Sequence, residues 1–338
     1  MIPYRIRYRL QKFIAFLFWT AIVCAVLALC WLLWLNRYVV YTRNGVRLDF
    51  DLPGNYPAGN IAVKPIPDTT VNIYYDDGTV IPDGDPAELK QLAGVYVTET
   101  MLAENFDAVA AQLKALPAGS TIMLDVKSVH GKYYYNTELG PVSTGIPAQQ
   151  MSDLIAQLNR SGHYIIARLP ALRDYYYAID NVNNGIFLAS KKGLWLDGQR
   201  TYWLNPTKEG TITYLREIIM ELRLIGFDEV VLSDFSIPDT DEIFFDGNKK
   251  EAIRQAANVL TALTTDTFAL SFMASKPDFP LPEGRCRLYF TDVPAASAAA
   301  TAAATGIEDT DKRIVFLTDR MDTRFDAYGV LRPLDLDN

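Results

Sequence analysis

The chain has 338 residues, 32 Lys and Arg against 40 Asp and Glu, a formal net charge of −8, and only 2 His and 3 Cys. This balance excludes a nucleic-acid partner held through its phosphates, because no basic stripe exists to hold one. Cys24, Cys30 and Cys286 make no CxxC pair or disulfide framework, and His130 and His163 are too few for a His-rich or Cys-rich zinc centre, so neither metal nor cofactor is expected.

Phe13 to Leu35 is an uncharged run whose only clearly polar member is Thr20. As a helix rising about 1.5 Å per residue it is long enough to cross a hydrocarbon core about 30 Å thick, and it is too long for the core of a signal peptide. Arg5, Arg7, Arg9 and Lys12 precede it and Arg37, Arg43 and Arg47 follow it. That narrow excess predicts residues 1–12 in the cytoplasm, a signal anchor over 13–35, and a single-pass protein of the cell membrane with its C-terminal domain extracellular. Tyr4, Tyr8, Trp31, Trp34, Tyr38 and Tyr41 suit the aromatic belts at the two interfaces.

Residues 36–92 carry Pro53, Pro57, Pro65, Pro67, Pro82 and Pro86 among several glycines, which predicts a spacer holding a domain away from the membrane, with one strand at "VNIYYDDG" (71–78). From residue 93 short apolar runs alternate with helical periodicity, the mark of βα units around a mainly parallel sheet. The strand runs are "GVYVTE" (94–99), "TIMLDVK" (121–127), "YIIARLP" (164–170), "EVVLSDF" (229–235), "FALSFMA" (268–274), "RLYFTDV" (287–293), "IVFLTD" (314–319) and "YGVLRPL" (328–334). Helical stripes lie between them at Phe106, Val109, Leu113 and Leu116, at Met151, Leu154, Ile155 and Leu158, and at Leu215, Ile218, Ile219, Leu222 and Ile225. Asn205 and Pro206 read as the cap and first position of the last of these helices. Eight repeats predict a (β/α)8 TIM-like barrel over 93–338, with an open doubly wound sheet as the alternative.

Side chains alternate across a strand, so Ile122, Leu124 and Val126 share the face toward the helices, which leaves Asp125 and Lys127 pointing into the mouth. The same parity sends Arg168 there. On the fourth strand Val230, Leu232 and Asp234 form one face and Val231, Ser233 and Phe235 the other, and either can face inward. Asp125, Lys127, Arg168 and Asp234 are therefore the catalytic candidates, two carboxylates for acid and base work with two cations to orient them. Glu229, at the amino end of its strand, is assigned to stability. Tyr133–Tyr135, Tyr175–Tyr177, Trp195, Tyr202 and Trp203 crowd the loops that follow the strands. Aromatic faces stack on the C–H faces of sugars, so Tyr134, Tyr176, Trp195, Trp203 and Asn205 are the candidates for binding an oligosaccharide or polysaccharide; filling the space behind long loops is the other use of such rings.

Five stretches in order, "GVYVT", "IMLDVKSVHG", "YIIAR", "GLW … YWLNP" and "GFDEVVLSDFSIP", resemble the motifs of a family of glycosyl hydrolases of Gram-positive bacteria, distantly related to the alpha-amylase barrels. The resemblance covers about Gly94 to Pro238 and implies a TIM barrel acting on glycosidic bonds. Asp125, Lys127 and Arg168 match the family pattern. Ser128 stands where the family has an acid, Asn205 precedes the proline of the fourth motif in place of another, and Ser233 falls on the aspartate of the last. Asp234 replaces that acid only if the strand end bulges or slips by one residue. Hydrolysis needs two carboxyl groups at a set separation. The expected function is thus a membrane-anchored extracellular glycoside hydrolase, and the alternative is an inactive barrel that binds envelope carbohydrate or a protein partner. GxGxxG, GxxxxGK[ST], HExxH and GxSxG motifs are all absent from the sequence, which excludes the nucleotide- and metal-dependent readings those motifs carry.

Overall fold

The computed structural model describes residues 88–336 without interruption and, before them, Trp19, Thr20, Ile22–Cys24, Leu27, Trp31 and residues 39–42 and 45–48. The chain divides into two compact units, Met1–Thr79 and Val80–Asn338. In the first, the described residues between 19 and 31 are helical, with Trp19, Leu27 and Trp31 exposed. Val39–Thr42 pairs antiparallel with Gly45–Leu48, so the start of the expected spacer is a hairpin. Most of the run from 13 to 35 and the expected strand at 71–78 lie outside the described residues. Among the described residues no helix is long and apolar enough to cross a membrane.

Eight parallel strands close the second unit into a barrel. They are β1 (Ala93–Val97), β2 (Thr121–Asp125), β3 (Tyr164–Pro170), β4 (Glu229–Ser233), β5 (Ala269–Met273), β6 (Leu288–Thr291), β7 (Ile314–Leu317) and β8 (Gly329–Pro333). Each pairs with its neighbours in sequence, and β8 returns to β1 with Val330 opposite Ala93. This is the TIM-like (β/α)8 topology, and the open sheet is excluded because no edge remains. The helices between strands are α1 (Glu99–Ala115), α2 (Ala148–Arg160), the short α3 (Tyr175–Asp180), α4 (Glu209–Leu224), α5 (Lys249–Thr261), α6 (Ala298–Thr305) and the single turn α7 (Thr310–Arg313).

Strand parity decides the two cores. Ile122, Leu124, Ile165, Ala167, Val230, Leu232, Leu270 and Phe272 point outward into the layer under the helices. Met123, Ile166, Val231, Tyr289, Val315 and Leu331 point inward and fill the barrel. Burying each such aliphatic side chain contributes about 1.5–3 kcal/mol, which makes the interior a packed core and leaves no pore. Its polar layer is Glu229, whose side chain is 0% exposed and is ion-paired to Arg287. Glu229 also accepts hydrogen bonds from Tyr164 and Tyr289 at 2.9 Å each and from Ser271. The closed domain begins before residue 93: Leu92 joins the inner core, Lys90 accepts a hydrogen bond from Arg287 at 2.9 Å, and Gln91 caps the carbonyl of Tyr328 at 2.7 Å.

α2 carries its four expected apolar residues buried, as does α4 for Leu215, Ile218, Ile219 and Leu222. The start of α4 departs from expectation. Lys208 is its cap, and Asn205 lies a turn earlier, where its Oδ1 accepts from Thr207 N at 3.0 Å and Thr207 Oγ1 at 2.8 Å. An Asn side chain that closes its own turn two residues on is spent before the helix begins. The alanine-rich segment after Pro294 folds as a 3-10 turn and α6, ending at Gly306 with φ 67° in the left-handed region that favours glycine.

Candidate functional site

A cavity of about 820 Å³ opens at the carboxyl ends of the strands. Its polar walls are Asp125 from β2, Arg168 from β3, Ser233 and Asp234 from the end of β4, and Glu99 from the start of α1; Met273, Ile237, Pro238 and Phe279 supply an apolar side, and Lys249, Lys250 and Lys276 stand along the walls.

Asp125 and Arg168 sit opposite each other across β2 and β3 and form a two-pronged ion pair: Arg168 Nε donates to Oδ1 at 2.6 Å and Nη2 to Oδ2 at 2.9 Å. The backbone N–H of Glu99 donates to Oδ2 at 2.8 Å. Both carboxylate oxygens are therefore taken, and a carboxylate committed in this way orients its arginine better than it attacks or protonates a substrate.

Asp234 reaches the mouth by a backbone device. Val231 and Ser233 face inward by parity, so a continuing strand would turn Asp234 outward. Instead Asp234 takes φ 48°, in the left-handed region, and its carboxylate lines the cavity beside Ser233. Its side chain is 30% exposed, and Arg173 Nη1 lies 3.6 Å from Oδ1. Burial pushes its proton affinity above the ordinary carboxylate range, against the opposing pull of Arg173 and Lys127. A carboxyl group held in that state can give and take a proton at a developing charge.

Lys127 is not a free group of the mouth. β2 ends at Asp125, and the following chain turns so that Lys127 bridges to Tyr133. Parity counted from β2 no longer governs it. Although it borders the cavity floor, its side chain is 0% exposed and its Nζ is 2.8 Å from Asp174 Oδ2, with a further bond to Pro170 O at 3.1 Å. Asp174 also accepts from Tyr214 Oη at 2.7 Å and from the N–H of Tyr177, which it caps, at 2.8 Å. Tyr133 and Tyr214 share a hydrogen bond of 2.9 Å. Gly131 completes this cluster, with φ 86° and a position where a Cβ would fall 2.0 Å from Asp174 Oδ1. Asp174 was not visible as a site residue, although a charged pair between Leu172 and three tyrosines just past a strand end was the available signal.

The five residues expected to bind sugar all stand outside the cavity walls. Tyr134, in the loop that follows β2, is fully buried. Trp195 is 8% exposed and its Nε1 donates to Glu242 at 2.8 Å, while Trp203 Nε1 donates to Asp197 at 2.9 Å. Tyr176, 37% exposed, lies edge-on to Tyr175, and Asn205 closes its turn as described above. Trp195 and Trp203 pack the β3–β4 insertion against the apolar core and Tyr134 packs the loop after β2 there, while Tyr176 stays partly exposed. His130 lies in a loop against Tyr175 at 6.4 Å between ring centroids, and His163 is buried at the start of β3. Among the described residues no cluster of His, Cys, Asp and Glu is arranged to hold a metal ion. Sequence reasoning missed Glu99 and Arg173 as well as Asp174.

Residues 94–266, slightly more than half of the chain, match the family described as "Putative glycosyl hydrolase domain". None of the curated proteins matches the chain. An alpha-galactosidase from Lactobacillus brevis is similar in structure with a TM-score of 0.50 at 12% identity; the match covers 74% of this chain and 38% of that one, so the chain spans well under half of its length. A hypothetical protein from Ruminiclostridium thermocellum gives a TM-score of 0.45 at 18% identity over 53% of this chain and 96% of that one. The glycoside hydrolase domain of PelA from Pseudomonas aeruginosa gives 0.44 at 12% identity over 74% and 97%.

Proposed function

This chain belongs to the glycosyl hydrolase domain family that its residues 94–266 match, and on that premise we propose that its barrel mouth binds a poly- or oligosaccharide and hydrolyses a glycosidic bond. Asp234 transfers the proton, Glu99 serves as its partner among the carboxyls that line the cavity (Glu99, Asp125, Asp234, Asp239 and Asp278), and Asp125 holds Arg168 against the sugar's oxygens. The observation that carries this reading is the left-handed turn at Asp234, which returns a carboxylate to the mouth one residue beyond Ser233. A cavity of about 820 Å³ has room for a short run of sugar rings. The alpha-galactosidase among the similar structures supports the barrel on which such a site is built.

We assign residues 13–35 as the membrane anchor, with residues 1–12 in the cytoplasm and the barrel outside the cell, on the strength of the uncharged run and its flanking arginines. A cysteine added at the carboxyl terminus is then labelled by an impermeant thiol reagent in whole cells; protection in intact cells with labelling after lysis refutes this topology.

The second reading is a barrel that binds envelope carbohydrate or a protein partner without cleaving it. It is favoured by Asp125, whose two oxygens are occupied by Arg168 and the N–H of Glu99. Turnover of a panel of envelope and plant polysaccharides by the full-length protein separates the two. Hydrolysis that falls at least about a hundredfold in Asp234→Asn supports catalysis by Asp234. Equal turnover by both proteins removes Asp234 from the mechanism, and binding without turnover establishes the second reading.

A further inference from the structure

Arg173 connects Asp234 to a part of the chain that contributes nothing to the cavity walls. Its side chain is 10% exposed and its donors are divided. Nη2 donates to Asp197 Oδ2 and to Gln199 Oε1, both at 2.8 Å, while Nη1 turns to Asp234. The guanidinium lies over the ring of Trp203 at 5.3 Å, and Nε is buried with no partner. Asp197 is itself fixed by Trp203 Nε1 and by the N–H groups of Gln199 and Thr201, each at 2.9 Å. Bridges between Leu196 and Tyr202 and between Arg173 and Trp203 tie this hairpin of the β3–β4 insertion to the strand end. The insertion therefore aims one buried guanidinium at a mouth carboxylate that strand parity would have turned outward.

We propose that Arg173 is the positioning residue of the mouth, holding the Asp234 carboxylate toward the cavity, and that the insertion sets the electrostatic surroundings of Asp234 through it. The proposal rests on the reading of Asp234 as the working carboxyl. The charges that act most on Asp234 are Arg173 after β3, Lys127 after β2 and Asp197 in the insertion, and Asp234 in turn acts on Arg168 of β3; Glu99, Asp125, Asp239, Asp278, Lys249, Lys250 and Lys276 line the same cavity. Burial favours the protonated form of Asp234, Arg173 and Lys127 favour the ionised form, and Asp197 favours the protonated form. Removing the cation of Arg173 and removing the anion of Asp197 thus push Asp234 in opposite directions. A hairpin that only packs the insertion would loosen in both cases and push it one way.

The test uses the full-length protein and no substrate. Carbodiimide coupling of an amine to Asp234, which requires the protonated carboxyl, is followed against pH by peptide mass spectrometry. In Arg173→Met the coupling midpoint rises by about one pH unit or more, at least about a tenfold gain in proton affinity, as expected when a cation within about 4–6 Å is lost. In Asp197→Asn the midpoint falls, and in Arg173→Lys it returns toward that of the parent. Coupling to the exposed Glu88, away from the cavity walls, serves as the control and stays unchanged in all of them. Midpoints that move the same way in Arg173→Met and Asp197→Asn, or that do not move, overturn the proposal. Opposite shifts in a protein that turns over no glycoside would end the hydrolase reading and leave the positioning role standing.

Discussion

Replacing Lys127 by Met distinguishes a buried structural pair from a catalytic cation. Lys127 Nζ and Asp174 Oδ2 are 2.8 Å apart, with both side chains 0% exposed. At an effective dielectric of about 20 the attraction at that separation is about 6 kcal/mol, most of it offset by the cost of taking both charges out of water. Removing one partner leaves the other buried and uncompensated, a loss of about 3–5 kcal/mol. Asp174 retains bonds from Tyr214 and from the N–H of Tyr177 in the variant, which places the expected loss near the lower bound, about 3 kcal/mol. For a domain of this size that corresponds to a fall in Tm of roughly 6–12 °C by differential scanning calorimetry of the full-length protein. The double variant Lys127→Met with Asp174→Asn removes both charges and recovers more than half of the loss. A single variant within about 1 kcal/mol of the parent, or a double variant no more stable than the single, would show that Lys127 and Asp174 are not a structural pair.

Glu229→Gln leaves Arg287 charged inside the barrel and is expected to cost about 3–5 kcal/mol in urea denaturation, with the mouth unchanged once the protein is folded. A loss under about 1 kcal/mol would show that this layer does not hold the barrel together. Because the proton affinity of Asp234 is raised in the folded state, the native protein holds more protons than the unfolded chain between the ordinary and the raised values. Its ionisation therefore removes stability as pH rises through that window. Asp234→Asn should be more stable than the parent at neutral pH and equal to it below the ordinary carboxylate range, as read from Tm against pH; a constant difference across the range would contradict the assignment.

The strands were legible because they are apolar runs of the right length, and β3 occupies the expected residues 164–170 in full. Parity also placed Asp125 and Arg168, since both lie within regular strand with neighbours in register. For Lys127 parity gave a place on the cavity wall but not its burial against Asp174, because β2 stops at Asp125 and no side-chain pattern announces that stop. It left β4 undecided for a related reason: Ser233 is the inward residue, while Asp234 arrives through a left-handed φ, a backbone state that the surrounding fold imposes and the residue type only permits. The density of the aromatic residues did not separate their two uses. A ring that can stack on a sugar can equally pack an insertion, and hydrogen bonds such as those of Trp195 to Glu242 and Trp203 to Asp197 depend on contacts distant along the chain or inside a hairpin whose register was not legible. Arg173 and Asp174 stayed hidden because their partners lie on the insertion and on α4, far from β3 in sequence.

The decisive measurement is the structure of full-length Asp234→Asn bound to an oligosaccharide drawn from the polysaccharide panel. Sugar rings are expected in the cavity at the carboxyl ends of β2 to β5, within hydrogen-bond reach of residue 234 and Arg168. Sugar held instead on the exposed face of the insertion around Tyr176, with the mouth empty, would contradict it.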